Sequence, residues 1–323
     1  TGLMADALPS ASLILIAWLL GGLQMLAGAL TYAELGAAMP KAGGQYVYLR
    51  EAYGSLPAFL FGWVAFIAYL TGTNAAISVA VAEHLGSFYP SISTRNIIIG
   101  FDIFSISGGQ IFAISLILIL SLINYLGILF GKWIQNVFTI LKIGSILFFA
   151  LAGLFISTGN HIDLSFNPTS MSIGSILTGM GIALVAVNWT VGGWEYVTFA
   201  AGEIKNPKKN LPLALIIGTV VIFVLYIIIN IAYLKVLPMD SLIGEIKVGE
   251  ATAKSLYGPG IAGAFVVVVI VSMLGSLNGN ILVGPRISYA MAKDELFFSK
   301  AADVHPKFHT PGNAIMIQGF WAY

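Results

Sequence analysis

The 323-residue chain is 58 % hydrophobic and only 9 % charged, with mean hydropathy +0.91; soluble domains carry about 25 % charged residues, so this is the composition of an all-α integral membrane protein. A net charge of +1 leaves no clustered cationic face for a phosphate backbone, which removes nucleic acid as a partner. With no cysteine, disulfides, thiolate metal ligands and cysteine nucleophiles are excluded within these residues.

Apolar runs of spanning length fall at about 10–33, 56–82, 110–130, 133–157, 172–201, 211–236 and 258–285, each near the ~20 residues that a bilayer requires. An eighth opens at Pro311 and stops at Tyr323, while Thr1 carries neither a start methionine nor a signal-peptide pattern, so residues 1–323 read as an internal fragment of one transmembrane domain. Pro168, Pro212, Pro259 and Pro311 stand at or just before segment starts, where a missing N–H costs little. One set of loops holds Lys41, Arg50, Lys132, Lys205, Lys208, Lys209, Arg286, Lys293, Lys300 and Lys307, and the opposite set only Arg95, Lys235, Lys247 and Lys254. Cytoplasmic loops retain cations, so the richer side is expected to be cytoplasmic in a multi-pass protein of the cell membrane.

Lys142 belongs to neither side. If its helix starts at Trp133, it lies about nine residues in, roughly 14 Å deep. An amine there costs about 2.5–3.5 kcal/mol on insertion scales and is expected to face the bundle interior, paired with carbonyls, hydroxyls or a carboxylate. A helix starting nearer Asn136 would instead let it snorkel to the interface.

In the fifth segment the run GMGIALVAVNWTVGGWEYVTFAAGEIKNPKKNLP carries paired glycines, Gly192 and Gly193, at membrane depth. Irregular chain survives there only where protein buries it or where it lines a cavity, because hydrocarbon offers nothing to unpaired N–H and C=O groups. The carbonyls from Val187 to Gly193 suit a substrate ammonium, with Val187, Asn188 and Trp189 facing the substrate. Glu195, just past the glycines, is a candidate proton carrier. In the last complete segment Ser272, Gly275, Ser276, Gly279 and Asn280 form a small-residue stripe with GxxxG spacing, read first as a packing face. Tyr69, Thr71, Thr73 and Asn74 are polar within an apolar run, and nothing in the sequence says which side they face.

Three long stretches resemble a known family. YAELGAAMPKAGGQYVYLREAYG at Tyr32–Gly54 is similar to the signature after the second helix of the amino acid, polyamine and organocation transporter superfamily; GGWEYVTFAAGEIKNPKKNLP resembles its sixth helix and following loop, and SMLGSLNGNILVGPRISYAMAKDELF its eighth. The closest likeness is to L-type amino acid transporters and bacterial alanine-serine-cysteine exchangers. The resemblance implies a leucine-transporter-like inverted-repeat bundle, of which these residues would hold helices two to eight and the start of nine. It also implies that the Lys142 amine stands where sodium-coupled cousins hold a sodium ion, with the Ser272 hydroxyl as its expected partner. Trp189 falls at the family's aromatic gate, the alternative being a packing tryptophan, and Trp194 reads as structural. Glu34, in the YAEL motif, is expected to organise the inner gate. The first helix, which binds the substrate carboxylate in the family, is not among these residues beyond a tail at Thr1–Ala7.

Enzyme signatures are lacking. GILFGK at Gly127–Lys132 is one residue too short for a phosphate loop and is followed by Trp133, there is no G-x-S-x-G elbow, and the carboxylates lie mostly in loops. His305 and His309 have metal-like spacing but only Asp303 as an acidic neighbour, so no metal site is expected, and no cofactor. An accessory subunit leaves no readable mark. The function expected is sodium-independent transport or exchange of neutral amino acids by alternating access, with a proton-coupled permease as the alternative. A channel or receptor is the distant one, since a continuous polar pore lining is missing.

Overall fold

The computed structural model describes residues 1–100, 105–156, 162, 164 and 171–322. Among them seven helices are long and apolar enough to cross a membrane: Ala11–Ala38, Ser55–Gly86, Gly108–Tyr125, Gln135–Phe155, Ile173–Glu203, Pro207–Val236 and Gly263–Lys293. The elements used below are α1 (Ala11–Ala38), α2 (Gln45–Tyr53), α3 (Ser55–Gly86, with a π turn at Ala65–Tyr69), strands β1 (Ile97–Gly100) and β2 (Ser105–Ser107), α4 (Gly108–Tyr125) and α5 (Ile128–Phe155). They continue with α6 (Ile173–Val191), a 3-10 helix over Trp194–Glu203, α7 (Pro207–Val236), α8 (Val248–Tyr257), α9 (Pro259–Val283), α10 (Pro285–Lys293) and α11 (Gly312–Trp321).

Segment ends shift from the expected ones for local reasons. The third segment stops at Tyr125 rather than near 130 because Gly127 takes φ +153°, a backbone that only glycine adopts without strain. The next helix therefore starts at Ile128, five residues before Trp133. Pro212, expected at a helix start, sits inside α7, which begins at Pro207 directly after Asn206 at φ +48°. Pro168 lies outside the described residues. The helical reading held no strand; the structure adds an antiparallel pair, β1 with β2.

The chain divides into two compact units, each assembled from three separate stretches. The first comprises Thr1–Ala33, Ile143–Glu195 and Leu213–Val268. Its core gathers Leu8, Ile14, Trp18 and Met25 with Ala183, Val187 and Val191, and with Leu234 and Leu242. Trp18 stacks on Tyr226 with centroids 5.1 Å apart, and Phe149 meets Phe265 edge-on at 4.4 Å. The second unit comprises Glu34–Lys142, Tyr196–Pro212 and Val269–Tyr323. Ile117 and Leu120 of α4 there pack with Leu277 and Ile281 of α9 and Ile315 of α11. Passage from unit to unit occurs inside α1, α5, α7 and α9, and between Glu195 and Tyr196, two residues beyond Gly193.

Candidate functional site

In the first unit, α6 starts at an N-cap where the Ser172 hydroxyl accepts the Ser175 N–H at 3.1 Å, and it runs unbroken to Val191. Gly192 then turns to φ −60°, ψ 160°, and Gly193 to φ +92°. The helix ends there, and a 3-10 helix begins at Trp194. The Gly193 N–H is capped by the Glu195 side chain, whose Oε2 accepts it at 3.1 Å, so this carboxylate serves as a cap at the break. A Gly193→Ala variant is expected to lose about 1–3 kcal/mol, the usual cost of a non-glycine residue in a sparsely populated region; thermal unfolding in detergent reads it, and an unshifted melt would mean that the turn relaxes freely.

The residues just before the break divide by direction. Val187 is fully buried and faces α1, where a Cβ on Gly21 would run into it. Its side chain is therefore core, and only its main chain is available to a ligand. The Asn188 amide donates to Gln24 Oε1 at 3.4 Å. The Trp189 indole is 74 % exposed, so it does not serve as a packing residue of this unit. Trp194 does: a Cβ at Gly28 would come within 3.0 Å of its ring, and Tyr32 meets it edge-on at 5.4 Å. The Tyr226 hydroxyl donates to the Thr190 carbonyl at 3.3 Å.

In the second unit, Lys142 stands at the middle of α5, not near its start, and its ammonium donates to the Ser276 hydroxyl at 2.8 Å. Ser276 in turn donates to the Ser272 carbonyl at 3.3 Å, so Ser272 enters through its main chain and Ser276, one turn on, offers the hydroxyl. The small-residue stripe makes this approach feasible. A Cβ at Gly275 would come within 2.7 Å of Phe138 and one at Gly279 within 3.3 Å of the Gln135 amide, so α5 lies directly on these glycines. Below them Gln135 Oε1 accepts from Asn278, whose own Oδ1 accepts from the buried Asn124, both at 3.0 Å.

A polar network at the α10 end of the unit escaped the sequence reading. Arg286, counted there as a loop cation, is 1 % exposed; its guanidinium grips Glu203 through Nε at 2.9 Å and Nη2 at 3.0 Å and also donates to the Leu282 carbonyl. Glu203 closes the 3-10 helix, so the pair ties that helix to α10. From the other side, Gly43 donates to the Phe199 carbonyl at 2.9 Å, and Gly44 lies so near Thr198 that a Cβ would collide. Both glycines have positive φ, +108° and +50°, which lets the loop turn this tightly. Arg50 pairs with Asp294, and the Tyr46 hydroxyl donates to the same carboxylate at 2.8 Å. Burial, and then the Asp294 hydrogen bond, push the Tyr46 phenol well above its ordinary range, so it remains a proton donor throughout neutral pH. The signal was available: all these residues fall inside the quoted motifs, and a charged residue recurring next to an apolar helix end is a pairing candidate.

The remaining candidates are scattered. Glu34 is exposed and joins no ion pair among the described residues. Thr71 is buried, its hydroxyl donating to the Phe66 and Ile67 carbonyls of the π turn, at 2.9 and 2.8 Å. Tyr69 meets Tyr196 edge-on at 6.0 Å. Thr73 donates back to the Tyr69 carbonyl, and Asn74 is buried. His305 uses Nδ1 to accept the Lys307 and Phe308 N–H groups, a loop-capping role.

Several relatives align with this chain over most of its length. The chain is 36 % identical over 309 residues to the serine/threonine exchanger SteT of Bacillus subtilis, covering 94 % of this chain and 66 % of that protein. It is 30 % identical to the b(0,+)-type amino acid transporter 1 of Mus musculus, covering 95 % and 61 %, and 26 % identical to the human cystine/glutamate transporter, covering 95 % and 59 %. The chain thus spans two thirds or less of the length of these relatives. The amino acid permease family matches residues 1–322, a family of transporters and not of enzymes. This multi-pass membrane chain belongs to the amino acid permease family.

Proposed function

We propose that the chain forms part of a sodium-independent exchanger of neutral amino acids that works by alternating access. The observation that carries this is the helix break at Gly192–Gly193. A zwitterion entering a membrane site must exchange water for fixed partners, since an unpaired buried charge is very costly. A helix C-terminus carries partial negative charge, so the carbonyls from Val187 to Gly193, at the end of α6 and through the break, suit the ammonium. In this reading Asn188 and Trp189 flank the substrate, with Trp189 the ring that closes over it, and Val187 contributes through its carbonyl alone.

Sodium independence is supported by the Lys142–Ser276 hydrogen bond, which puts a fixed cation between two crossing helices. The names of the relatives, exchangers and transporters of amino acids, support an amino acid as the substrate, and the serine and threonine of the Bacillus subtilis exchanger support a neutral one. Glu34 is assigned to the inner gate. The lysine-rich loops are read as cytoplasmic in the cell membrane. The proton-coupled alternative would place its carrier at Glu195; the capping of Gly193 favours a local structural role for that carboxylate.

Counterflow in liposomes loaded with amino acid tests the reading, using the full-length protein with and without sodium and with an imposed pH gradient. Counterflow indifferent to both is expected; dependence on sodium overturns the proposal, and acceleration by an inward proton gradient transfers it to the alternative. In the same assay Trp189→Ala is expected to broaden the accepted side-chain size and raise leak. Identical selectivity would remove Trp189 from the gate.

A further inference from the structure

The loop between α3 and α4 carries an apolar surface that the transport reading does not use. β1 and β2 pair antiparallel, Ile99 opposite Ile106 and Gly100 opposite Ser105. The register shifts between Ile97, opposite Ser107, and Ile99, so regular alternation of faces is interrupted there; Ile97, Ile98 and Ile99 are 59 %, 56 % and 45 % exposed, so all three isoleucines are open to the surroundings. Phe88 and Tyr89, earlier in the loop, are exposed as well. Between Ser87 and Ser107 the sequence has only two charged residues, Arg95 and Asp102. A short two-stranded ribbon with three consecutive exposed isoleucines is marginal in water.

Its attachment sets how far it lies from lipid. β2 ends at Ser107, and α4 begins at the next residue, fixed by a capping box in which Ser107 Oγ accepts the Gln110 N–H at 3.2 Å and Gln110 Oε1 accepts the Ser107 N–H at 2.8 Å. The Gly108 and Gly109 N–H groups donate to Asn96 and Ser93 carbonyls at 2.9 and 3.2 Å, clamping the loop onto the helix end. α4 has 18 residues, about 27 Å at 1.5 Å per residue, against a hydrocarbon thickness of about 30 Å. Such a helix is only just long enough, so its first residue belongs at the hydrocarbon boundary. The three residues of β2 extend at most about 10 Å from that point, and Ile97 and Ile99 pair with Ser107 and Ile106 at its near end, which keeps the isoleucines beside the headgroup layer, about 5–8 Å deep on each side.

We propose that the β1–β2 ribbon is an interfacial anchor, its isoleucines seated at the boundary between lipid headgroups and acyl chains, with the bilayer surface as its partner. Tyr89 suits the same layer, where aromatic residues with a polar tip collect. The anchor holds the start of α4 at a constant depth.

The test uses the absence of cysteine in these 323 residues. Full-length protein free of other cysteines, carrying Ile98→Cys with a nitroxide label, is reconstituted into phosphatidylcholine and phosphatidylglycerol vesicles. Its relaxation by oxygen, which concentrates in lipid, is compared with that by a water-soluble nickel chelate, and Arg95→Cys serves as the reference. The ribbon position is expected to show an oxygen-to-nickel ratio several-fold above the reference. A ratio equal to the reference would mean that the ribbon stands in water, and low relaxation by both agents that protein covers it; either result overturns the anchor. If the Ile98→Cys protein does not elute as a single folded species, Ile97→Cys gives the same reading from the neighbouring exposed position.

Discussion

Lys142→Ala is expected to leave folded protein in the membrane while lowering exchange about 10- to 100-fold. The charged hydrogen bond to Ser276 is worth about 1.5–3 kcal/mol, and each 1.4 kcal/mol is tenfold in a conformational equilibrium. If this contact forms in one conformation of the transport cycle and not in the other, removing it shifts their balance by that amount. Folding should suffer less, because deleting the amine also removes an insertion penalty of about 2.5–3.5 kcal/mol, which offsets the lost bond. Counterflow rates normalised to the amount of monodisperse protein decide it. An unchanged rate would show that the lysine is a passenger in α5, and a loss of monodisperse protein that its role is in folding.

The second large effect is on stability. Glu203→Ala is expected to cost about 3 kcal/mol, since removing one partner of a buried pair leaves an uncompensated charge, typically a loss of 3–5 kcal/mol. The lower end applies because Glu203 is itself about a third exposed, so its own pairing is partly screened, whereas Arg286 is buried and, among the described residues, would retain the Leu282 carbonyl. Glu203→Gln, which keeps an acceptor, should fall between wild type and alanine. Thermal unfolding of the three proteins in one detergent gives the order directly. A melt of the alanine variant coincident with wild type would mean that Arg286 finds other partners, and the tie between the 3-10 helix and α10 would lose its energetic basis.

The membrane class and the approximate spans were legible because a bilayer demands long apolar runs, a property of composition over about 20 residues that needs no tertiary information. The Gly192–Gly193 break was legible for a similar reason. Only glycine tolerates the φ of +92° found at Gly193, and a glycine pair inside a spanning run announces that backbone. The β1–β2 ribbon went unseen, since three β-branched residues, Ile97 to Ile99, are too short a signal beside seven helices.

Side-chain roles were less legible. Asn188, Trp189 and Val187 are consecutive, and only packing against Gly21 shows that Val187 turns inward while Trp189 is exposed. Ser272 and Ser276 are equivalent on one helix face, and which hydroxyl meets Lys142 depends on the register of α5 against Gly275 and Gly279. Arg286 counts as one more cation beside a helix end until Glu203, 83 residues earlier, is found against it.

By itself, then, the amino-acid order determined the solvent of this protein, its helical elements, the place where one helix must break and the presence of a lysine inside a span-length apolar helix. Those follow from local backbone preference and from the cost of polar groups in hydrocarbon. Tertiary structure alone decided which side chains meet: Lys142 with Ser276, Arg286 with Glu203, and Tyr46 and Arg50 with Asp294. Contacts between residues far apart in sequence are set by helix register and close packing at glycines, and a one-residue rotation about a helix axis, about 100°, would exchange one partner for another without changing the pattern that a sequence displays.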